Sequence, residues 1–136
     1  MDHTTDTKLL SRRFYEAYDR DDRQALADML APGCAIHMPG VPRPLGRETF
    51  LQVSALFADA FTDSVTTFEE QIAEGDTAVT RWVWRVTHRA PFQGIPATGK
   101  RVALAGVTIH RIAGGKIVEQ WVSFDQLGLL EQIGAL

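Results

Sequence analysis

The spacing of apolar residues divides the chain into a helical first half and a strand-rich second half. Before residue 62 the apolar positions recur every three or four residues, which is the spacing of one face of an α-helix. This pattern predicts three helices, over 6–22, 23–30 and 48–61. Pro32 and Gly33 are expected to end the second helix, and a short strand is expected over 34–38. The segment 39–46 carries three prolines and is expected to be irregular, because proline lacks a backbone donor.

After residue 62 the pattern changes to a period of two, which is typical of strands that bury one face. The predicted elements are strands over 64–74, 77–90, 101–112 and 117–124 and a closing helix over 126–133. Turns are expected at 75–76 and 113–116, and a loop over 91–99. Within the strand over 77–90, the pattern predicts one face made of Thr80, Trp82, Trp84, Val86 and His88 and another made of Val79, Arg81, Val83 and Arg85.

Helices that precede a run of sequential strands indicate an α+β fold rather than a doubly wound α/β fold. The chain length of 136 residues fits one domain over 1–136. We expect a cone-shaped, curved and mainly antiparallel sheet that the N-terminal helices enclose. The interior of such a cone is a natural pocket for a small molecule.

Charge and composition exclude several classes of partner. The chain has 14 basic and 17 acidic residues, a net charge of −3, and no basic stripe, so nucleic acid is not an expected partner. Its apolar runs are far shorter than the ~20 residues that a membrane span needs. The first six residues are polar and acidic, unlike a signal peptide, which favours a cytoplasmic location.

The residue types available for chemistry are few. The single cysteine, Cys34, excludes an internal disulfide, and we expect it to be buried and inert. No two of the four histidines have the spacing of a metal site, so we expect no metal and no other cofactor. Any catalysis must therefore use carboxylate, imidazole or phenol groups.

Several motifs, densest in the second half of the chain, resemble a known family. They are Gly46-Arg47-Glu48, Ala73-Glu74-Gly75-Asp76, Arg81-Trp82, Gly94-Ile95-Pro96-Ala97-Thr98-Gly99-Lys100-Arg101, Gly106, Ile109-His110-Arg111-Ile112-Ala113-Gly114-Gly115-Lys116-Ile117-Val118-Glu119, Trp121, Asp125 and Gly128-Leu129-Leu130-Glu131-Gln132-Ile133-Gly134. Together they resemble the SnoaL-like polyketide cyclases, which are part of the nuclear-transport-factor-2-like superfamily. The resemblance covers nearly the whole chain.

The resemblance implies a cone with a pocket and an enzyme of secondary metabolism, such as antibiotic biosynthesis. The namesake enzymes close rings of aromatic polyketides by an intramolecular aldol reaction, without metal or cofactor, with an aspartate as general acid/base. Their enzymatic class is lyase or isomerase, and the relatives are commonly homodimers or larger homo-oligomers. The implied partner is therefore a small apolar or aromatic, polyketide-like substrate.

Asp125 is the first candidate catalytic residue. It ends the last predicted strand, and the resemblance places it at the family acid four residues after the tryptophan. A period of two puts it on one strand face with Ile117, Glu119, Trp121 and Ser123. By residue type, an N-cap of the closing helix is an equal alternative. Many relatives carry a second acid directly after the tryptophan, whereas Val122 stands there in this chain, which argues against a mechanism with two carboxylates.

His88 is the second candidate catalytic residue, because of its expected place in the sheet. If Ile112 pairs with Gly115 across the hairpin, Asp125 lies opposite Val102. If His88 also lies opposite Val102, His88 and Asp125 are about 10 Å apart on one surface. That distance suits an acid and a base that flank a substrate. A strand-end histidine in water is the alternative.

Further candidates for substrate binding are Tyr18, His37, Trp82, Trp84, His110 and Trp121. The tryptophans would stack on a flat substrate, with core packing as their alternative, and the same register places Trp121 over Gly106. Tyr18 could donate to an oxyanion. His37 lies just before the proline-rich segment, and His110 is expected near the far end of the hairpin, where a surface or packing role is the alternative.

The leading hypothesis is a cofactor-independent cyclase in which Asp125 removes a carbon-bound proton and His88 or Tyr18 stabilises the enolate oxygen. A dehydratase, hydrolase or isomerase on the same fold is the enzymatic alternative. A hydrolase with carboxylates around an arginine is disfavoured, because Arg81 and Arg85 are expected on the face opposite the tryptophans. A non-catalytic domain that binds a small molecule is the other alternative.

Overall fold

The computed structural model describes residues 4–135, and within them the chain forms four helices and five strands. The helices are α1 (Thr4–Asp19), α2 (Arg23–Met29), α3 (Arg47–Ala60) and α4 (Gln126–Gln132). The strands are β1 (Leu30–His37), β2 (Phe61–Glu74), β3 (Thr77–His88), β4 (Arg101–Ala113) and β5 (Lys116–Phe124). The start of the polar N-terminal segment, residues 1–3, lies outside the described residues.

The strands form one mixed sheet in the order β1-β5-β4-β3-β2. β1 pairs with β5 in parallel, and the other neighbours are antiparallel. α1 packs on β2 and β3, and α3 packs on β1 and β2, so both helices cover the same concave face. The fold is the expected α+β curved sheet of the nuclear-transport-factor-2-like type, and the sheet does not close into a barrel.

β1 begins earlier than the sequence pattern predicted. The expected helix end at Pro32 and Gly33 is wrong, because the helix ends at Met29 and both residues lie inside the strand. β1 is an edge strand, and its register with β5 shifts between Leu30 and Ala35. A proline is tolerated at such a place, since a missing backbone donor breaks no regular ladder there.

The alternation predicted for β3 is confirmed along the strand. Thr80, Trp82, Trp84, Val86 and His88 are buried on the inner face. Arg81 and Arg85 are exposed on the outer face, with Val79 and Val83 half-buried between them. The two arginines are therefore absent from the concave side, as expected.

The register expected for β4 and β5 is wrong. Gly114 and Gly115 both adopt positive φ angles, 59° and 75°, and form a two-residue turn in which Ala113 pairs with Lys116. Further from the turn, the register shifts by one residue. Ile112 pairs with Ile117, but the next pair is Arg111 with Glu119, so Val118 is skipped. Such a bulge turns every later side chain of β5 to the opposite face of the sheet.

The bulge moves the candidate residue Trp121 away from the concave face of the sheet. Gly106 lies opposite Phe124, not opposite Trp121, and Trp121 lies opposite Ile109 on the outer face. The β3–β4 register also differs from the expected one, since Trp82 pairs with Gly106. His88 and Asp125 are therefore not in one row with Val102.

No helix among residues 4–135 is long and apolar enough to cross a membrane.

Candidate functional site

A small cavity of about 70 Å³ lies between the concave face of the sheet and the helices α1 and α3. Its wall is mainly aromatic and aliphatic. The lining residues are Phe14, Tyr15, Tyr18, Met38, Phe50, Phe57, Thr66, Trp82, Trp84, Leu104, Gln120, Val122 and Phe124. Among these described lining residues there is no Asp, Glu, Lys, Arg or His.

Two of the three tryptophans lie where they were expected, in the cavity wall. Each indole nitrogen is already bound: Trp82 Nε1 donates to Thr108 Oγ1 at 2.9 Å, and Trp84 Nε1 donates to Ser64 Oγ at 2.6 Å. Trp82 packs flat against Gly106, where a Cβ atom would come within 2.4 Å of the indole. The tryptophans therefore present ring surface to the cavity and keep their donors out of it.

Two tyrosines of α1 supply phenol groups to the wall. Burial raises the pKa of Tyr15 and of Tyr18 well above the usual range of a phenol. The Tyr15 hydroxyl is hydrogen-bonded to Thr108 Oγ1. Tyr18 was an expected pocket residue, and it does line the cavity. Since both phenols stay protonated at neutral pH, each has a hydrogen that it can donate.

A histidine and a glutamine form a buried pair at the floor of the cavity. His110 on β4 and Gln120 on β5 lie directly opposite each other, and both point inward. His110 Nε2 and Gln120 Oε1 are 2.6 Å apart. Only Gln120 lines the cavity, so His110 lies behind it and is not at the hairpin surface.

His110 is neutral at pH 7 because burial disfavours its charged form. It is fully buried, and the ring of Phe14 contacts its ring edge-on at 5.1 Å between centroids. Burial lowers the pKa of His110 to about 4, which the hydrogen bond to Gln120 only partly opposes. At neutral pH the imidazole therefore has one donor nitrogen and one acceptor nitrogen.

Asp125 lies outside the cavity and caps a helix. Its side chain accepts a hydrogen bond from the backbone N–H of Gly128 at 2.8 Å, at the N-terminus of α4. The residue is exposed and borders a shallow groove on the outer face with Arg81 and Ser123. The N-cap interpretation of Asp125 is therefore confirmed, and the expected pairing of Asp125 with His88 across one substrate does not occur.

His88 is buried at the end of β3, so its interpretation as a strand-end histidine in water is wrong. Its Nδ1 bonds to Thr98 Oγ1 at 2.9 Å, and its ring stacks on Phe61 at 5.3 Å. Its Nε2 has no partner among the described residues. Backbone bonds to Gly99 and Lys100 complete the contact, so His88 anchors the loop before β4. It does not line the cavity.

His37 and Trp121 are partners on the outer face of the sheet, not in the cavity. Their rings stack at 5.2 Å with 7° between the planes, and His37 Nε2 lies 2.8 Å from Glu119 Oε2. Arg111 packs over the other side of this cluster, with its guanidinium carbon 5.5 Å from the Trp121 ring centre. The bulge in the β4–β5 hairpin explains the error, because it reverses the face of Trp121.

Gln120 and Ser11, whose hydroxyl lies 2.6 Å from His110 Nδ1, were not chosen as site residues from the sequence. A signal for Gln120 exists, because Val122 and Phe124 are more apolar than Glu119 and Ser123. That contrast favours the even-numbered face of β5 as the inner one. No comparable signal places Ser11, since serine is common on helices and its partner is distant in sequence. Among the described residues, no group of three or more His, Cys, Asp or Glu side chains could hold a metal ion.

Comparisons with known proteins agree with this architecture. The family model of the SnoaL-like polyketide cyclases matches residues 8–133. Among proteins with curated functions, none matches significantly.

Solved structures are similar over nearly the whole chain. TsrD from Streptomyces laurentii is 31% identical over 100% of this chain and 99% of its own, with a TM-score of 0.85. IdmH from Streptomyces antibioticus, described as a candidate polyketide cyclase, is 31% identical over 94% of this chain and 98% of its own, with a TM-score of 0.84. AclR from Streptomyces galilaeus, described as a candidate hydroxylase, shares the fold with a TM-score of 0.89 at 24% identity, over 98% of each chain. The chain belongs to the SnoaL-like polyketide cyclase family.

Proposed function

We propose that this protein is a cofactor-independent cyclase that closes a ring in an apolar, polyketide-like carbonyl substrate by an aldol-type reaction. The cavity carries the proposal: its walls are aromatic, it offers hydrogen-bond donors, and its described lining residues include no ionised side chain. Aromatic walls favour a flat apolar molecule. Buried donors polarise a carbonyl oxygen more strongly than water does.

A mechanism that starts from an enol fits this wall best. In a β-dicarbonyl substrate the enol form is already populated, so its carbon is nucleophilic without a strong base. The enol carbon attacks a second carbonyl carbon, the new C–C bond forms, and the electron pair of the C=O π bond moves to oxygen. The enol O–H proton passes to that oxygen as the enol becomes a ketone. No net proton is lost, so the step needs no carboxylate in the cavity.

The chain's own residues contribute position and polarisation. The phenol of Tyr18 and the amide of Gln120 reach the cavity and can donate to the developing alkoxide. Trp82 and Trp84 limit the shapes that the substrate chain can adopt, which brings the two reacting carbons together. Asp125 as general base and His88 as acid is the competing assignment. It rests on the family resemblance, and the position of Asp125 outside the cavity argues against it.

A matched pair of tryptophan variants tests the proposal. The purified protein is given a linear aryl tri-β-ketone thioester, and ring closure is followed by chromatography and mass spectrometry. Trp84→Leu opens the cavity wall and is expected to slow ring closure about tenfold or more, whereas Trp121→Leu on the outer face is expected to stay within about twofold. A metal chelator is expected to leave the rate unchanged.

Other outcomes distinguish the alternatives. Saturable binding of the thioester with no rate above the spontaneous one would indicate a binding domain. Incorporation of oxygen-18 from solvent into the product would indicate a hydrolase. Equal rates in Trp84→Leu and Trp121→Leu would place the chemistry outside the cavity.

We also propose that the chain forms a homodimer or a larger homo-oligomer through the outer face of the sheet. Three large apolar side chains are exposed there, Val65 and Ile72 on β2 and Val107 on β4. Sedimentation velocity of the wild type and of Val107→Glu tests this, and a wild-type monomer at micromolar concentration would contradict it.

A further inference from the structure

The amide of Gln120 presents its NH₂ group to the cavity, while its oxygen is hydrogen-bonded to His110 on the side away from the cavity. The residue is 2% exposed and lines the cavity. Its Oε1 faces His110 Nε2 at 2.6 Å. None of the described hydrogen bonds involves its Nε2, and Nε2 is not among the fully buried polar atoms that lack a partner, so the NH₂ group is open to the cavity that the residue lines.

This orientation is compatible with a series of hydrogen bonds that starts on β2 and reaches His110. Gln71 Nε2 donates to the backbone oxygen of Lys8 at 3.0 Å and to Thr80 Oγ1 at 3.2 Å. Thr80 Oγ1 therefore acts as an acceptor toward Gln71, and it lies 3.3 Å from Ser11 Oγ, where either hydroxyl can be the donor. The Ser11 hydroxyl also lies 2.6 Å from His110 Nδ1.

His110 connects these hydrogen bonds to Gln120 through its two ring nitrogens. A neutral imidazole has one N–H donor and one bare acceptor nitrogen. Because Gln120 Oε1 can only accept, His110 Nε2 carries the hydrogen and donates to it, and the bare Nδ1 accepts from the Ser11 hydroxyl. A flipped Gln120 amide would place its NH₂ group against that N–H, so two buried donors would meet without an acceptor.

We propose that Gln120 selects a hydrogen-bond acceptor, a carbonyl or enolate oxygen, at this point of the cavity, and that Ser11 and His110 are positioning residues that hold its amide in the donating orientation. The inference rests on the proposed function and specifies where the substrate oxygen lies. An apolar ligand without an oxygen leaves the NH₂ group desolvated and unpaired, and is bound more weakly for that reason.

Two naphthalenes of nearly equal shape test this inference. 2-Acetylnaphthalene carries the carbonyl and 2-ethylnaphthalene lacks it, and calorimetry measures the affinity of each. The wild type is expected to prefer the ketone about tenfold, and its bound carbonyl band is expected at lower wavenumber than in apolar solvent. Gln120→Leu is expected to lose the preference and the band shift but still bind 2-ethylnaphthalene.

Ser11→Ala separates positioning from simple stability. It leaves Gln120 in place but frees the His110 tautomer, so we expect the ketone preference to fall severalfold while the affinity for 2-ethylnaphthalene is unchanged. Thr7→Val is the matched control, because Thr7 lies one turn earlier on α1 and donates to the backbone oxygen of Gly75 at 3.1 Å. It is expected to keep the full preference.

The results separate this inference from the proposed function. Equal affinity of the wild type for both naphthalenes, or an unchanged preference in Gln120→Leu, would overturn the role of Gln120 while the cavity remains a binding site. Equal behaviour of Ser11→Ala and Thr7→Val would overturn the positioning role. Failure of both naphthalenes to bind the wild type would overturn the proposed function and this inference with it.

Discussion

β3 and β5 both alternate apolar and polar residues, but only in β3 does the alternation continue unbroken through the sheet. The even-numbered side chains of β3 face inward from Ala78 to His88. In β5 the inner positions are Ile117 and then Gln120, because the pairing with β4 skips Val118. The inner residue at the cavity floor is therefore an amide, and the indole of Trp121 is outside.

The difference shows that one bulge decides which side chains of a strand face the cavity. A strand without irregularities places its side chains by period alone, so Trp82 and Trp84 could be assigned to the wall from the sequence. A single extra residue reverses all later faces. The carboxylate of Asp125, just after β5, caps α4 outside the cavity, and the amide of Gln120 is the polar group that β5 presents to the cavity.

The largest expected effect concerns His110, whose burial depends on the observed register of β4 and β5. Its pKa is about 4 in the folded chain against an ordinary value of 6.5. Above pH 6.5 both states are neutral at this site. As the pH falls from 6.5 to 4, the unfolded chain binds a proton that the folded chain does not, so the free energy of unfolding falls by roughly 3 kcal/mol and then levels off.

Urea unfolding at pH 7.5 and pH 4.5 measures this loss in the wild type and in His110→Gln. The variant is expected to lose roughly 3 kcal/mol less between the two pH values, because it lacks the group that titrates. Identical losses in the wild type and His110→Gln would place His110 in water, at the hairpin surface.

The second effect concerns the contact between β3 and β4. A Cβ atom at Gly106 would lie 2.4 Å from the Trp82 indole and 2.8 Å from the backbone oxygen of Ser123. Gly106→Ala is therefore expected to lower the free energy of unfolding by about 2 kcal/mol, since packed groups must shift. Gly33→Ala, where nothing lies within 4 Å of the added atom, is expected to be nearly neutral.

A double-mutant cycle identifies the tryptophan involved. In a Trp82→Leu background the cost of Gly106→Ala is expected to shrink, because the clash with the indole is gone. If the cost of Gly106→Ala shrinks in a Trp121→Leu background instead, Gly106 packs against Trp121, as the sequence pattern predicted.

The smallest expected effect is at Asp125. Asp125→Ala removes the N-cap of α4 and is expected to cost about 1 kcal/mol of stability, whereas Asp125→Asn keeps a capping oxygen and is expected to cost little. Both variants are expected to close rings at rates within about tenfold of the wild type. A stable Asp125→Asn protein that loses about a hundredfold or more of the rate would restore Asp125 as the base and contradict the cavity mechanism.

Individual residues show how far prediction from the sequence reached. The third helix was predicted over 48–61 and is α3 (Arg47–Ala60), because an amphipathic spacing is a local property. Tyr18 was placed in the pocket on the same basis, and it lines the cavity. His110 was expected near the far end of the hairpin, but its environment depends on α1 and β5, which are far away in the chain.

The sequence by itself determined the order of helices and strands, the α+β class, the inner face of β3 and, through its family motifs, the SnoaL-like relationship. These features follow from local periodicity and from residue types. Only the tertiary structure decided where along β5 the inner face changes from odd-numbered to even-numbered residues, since the pairing of β5 with β4 set the position of the bulge. The chain of hydrogen bonds behind Gln120 was likewise decided by packing, because Ser11 and His110 are 99 residues apart in sequence.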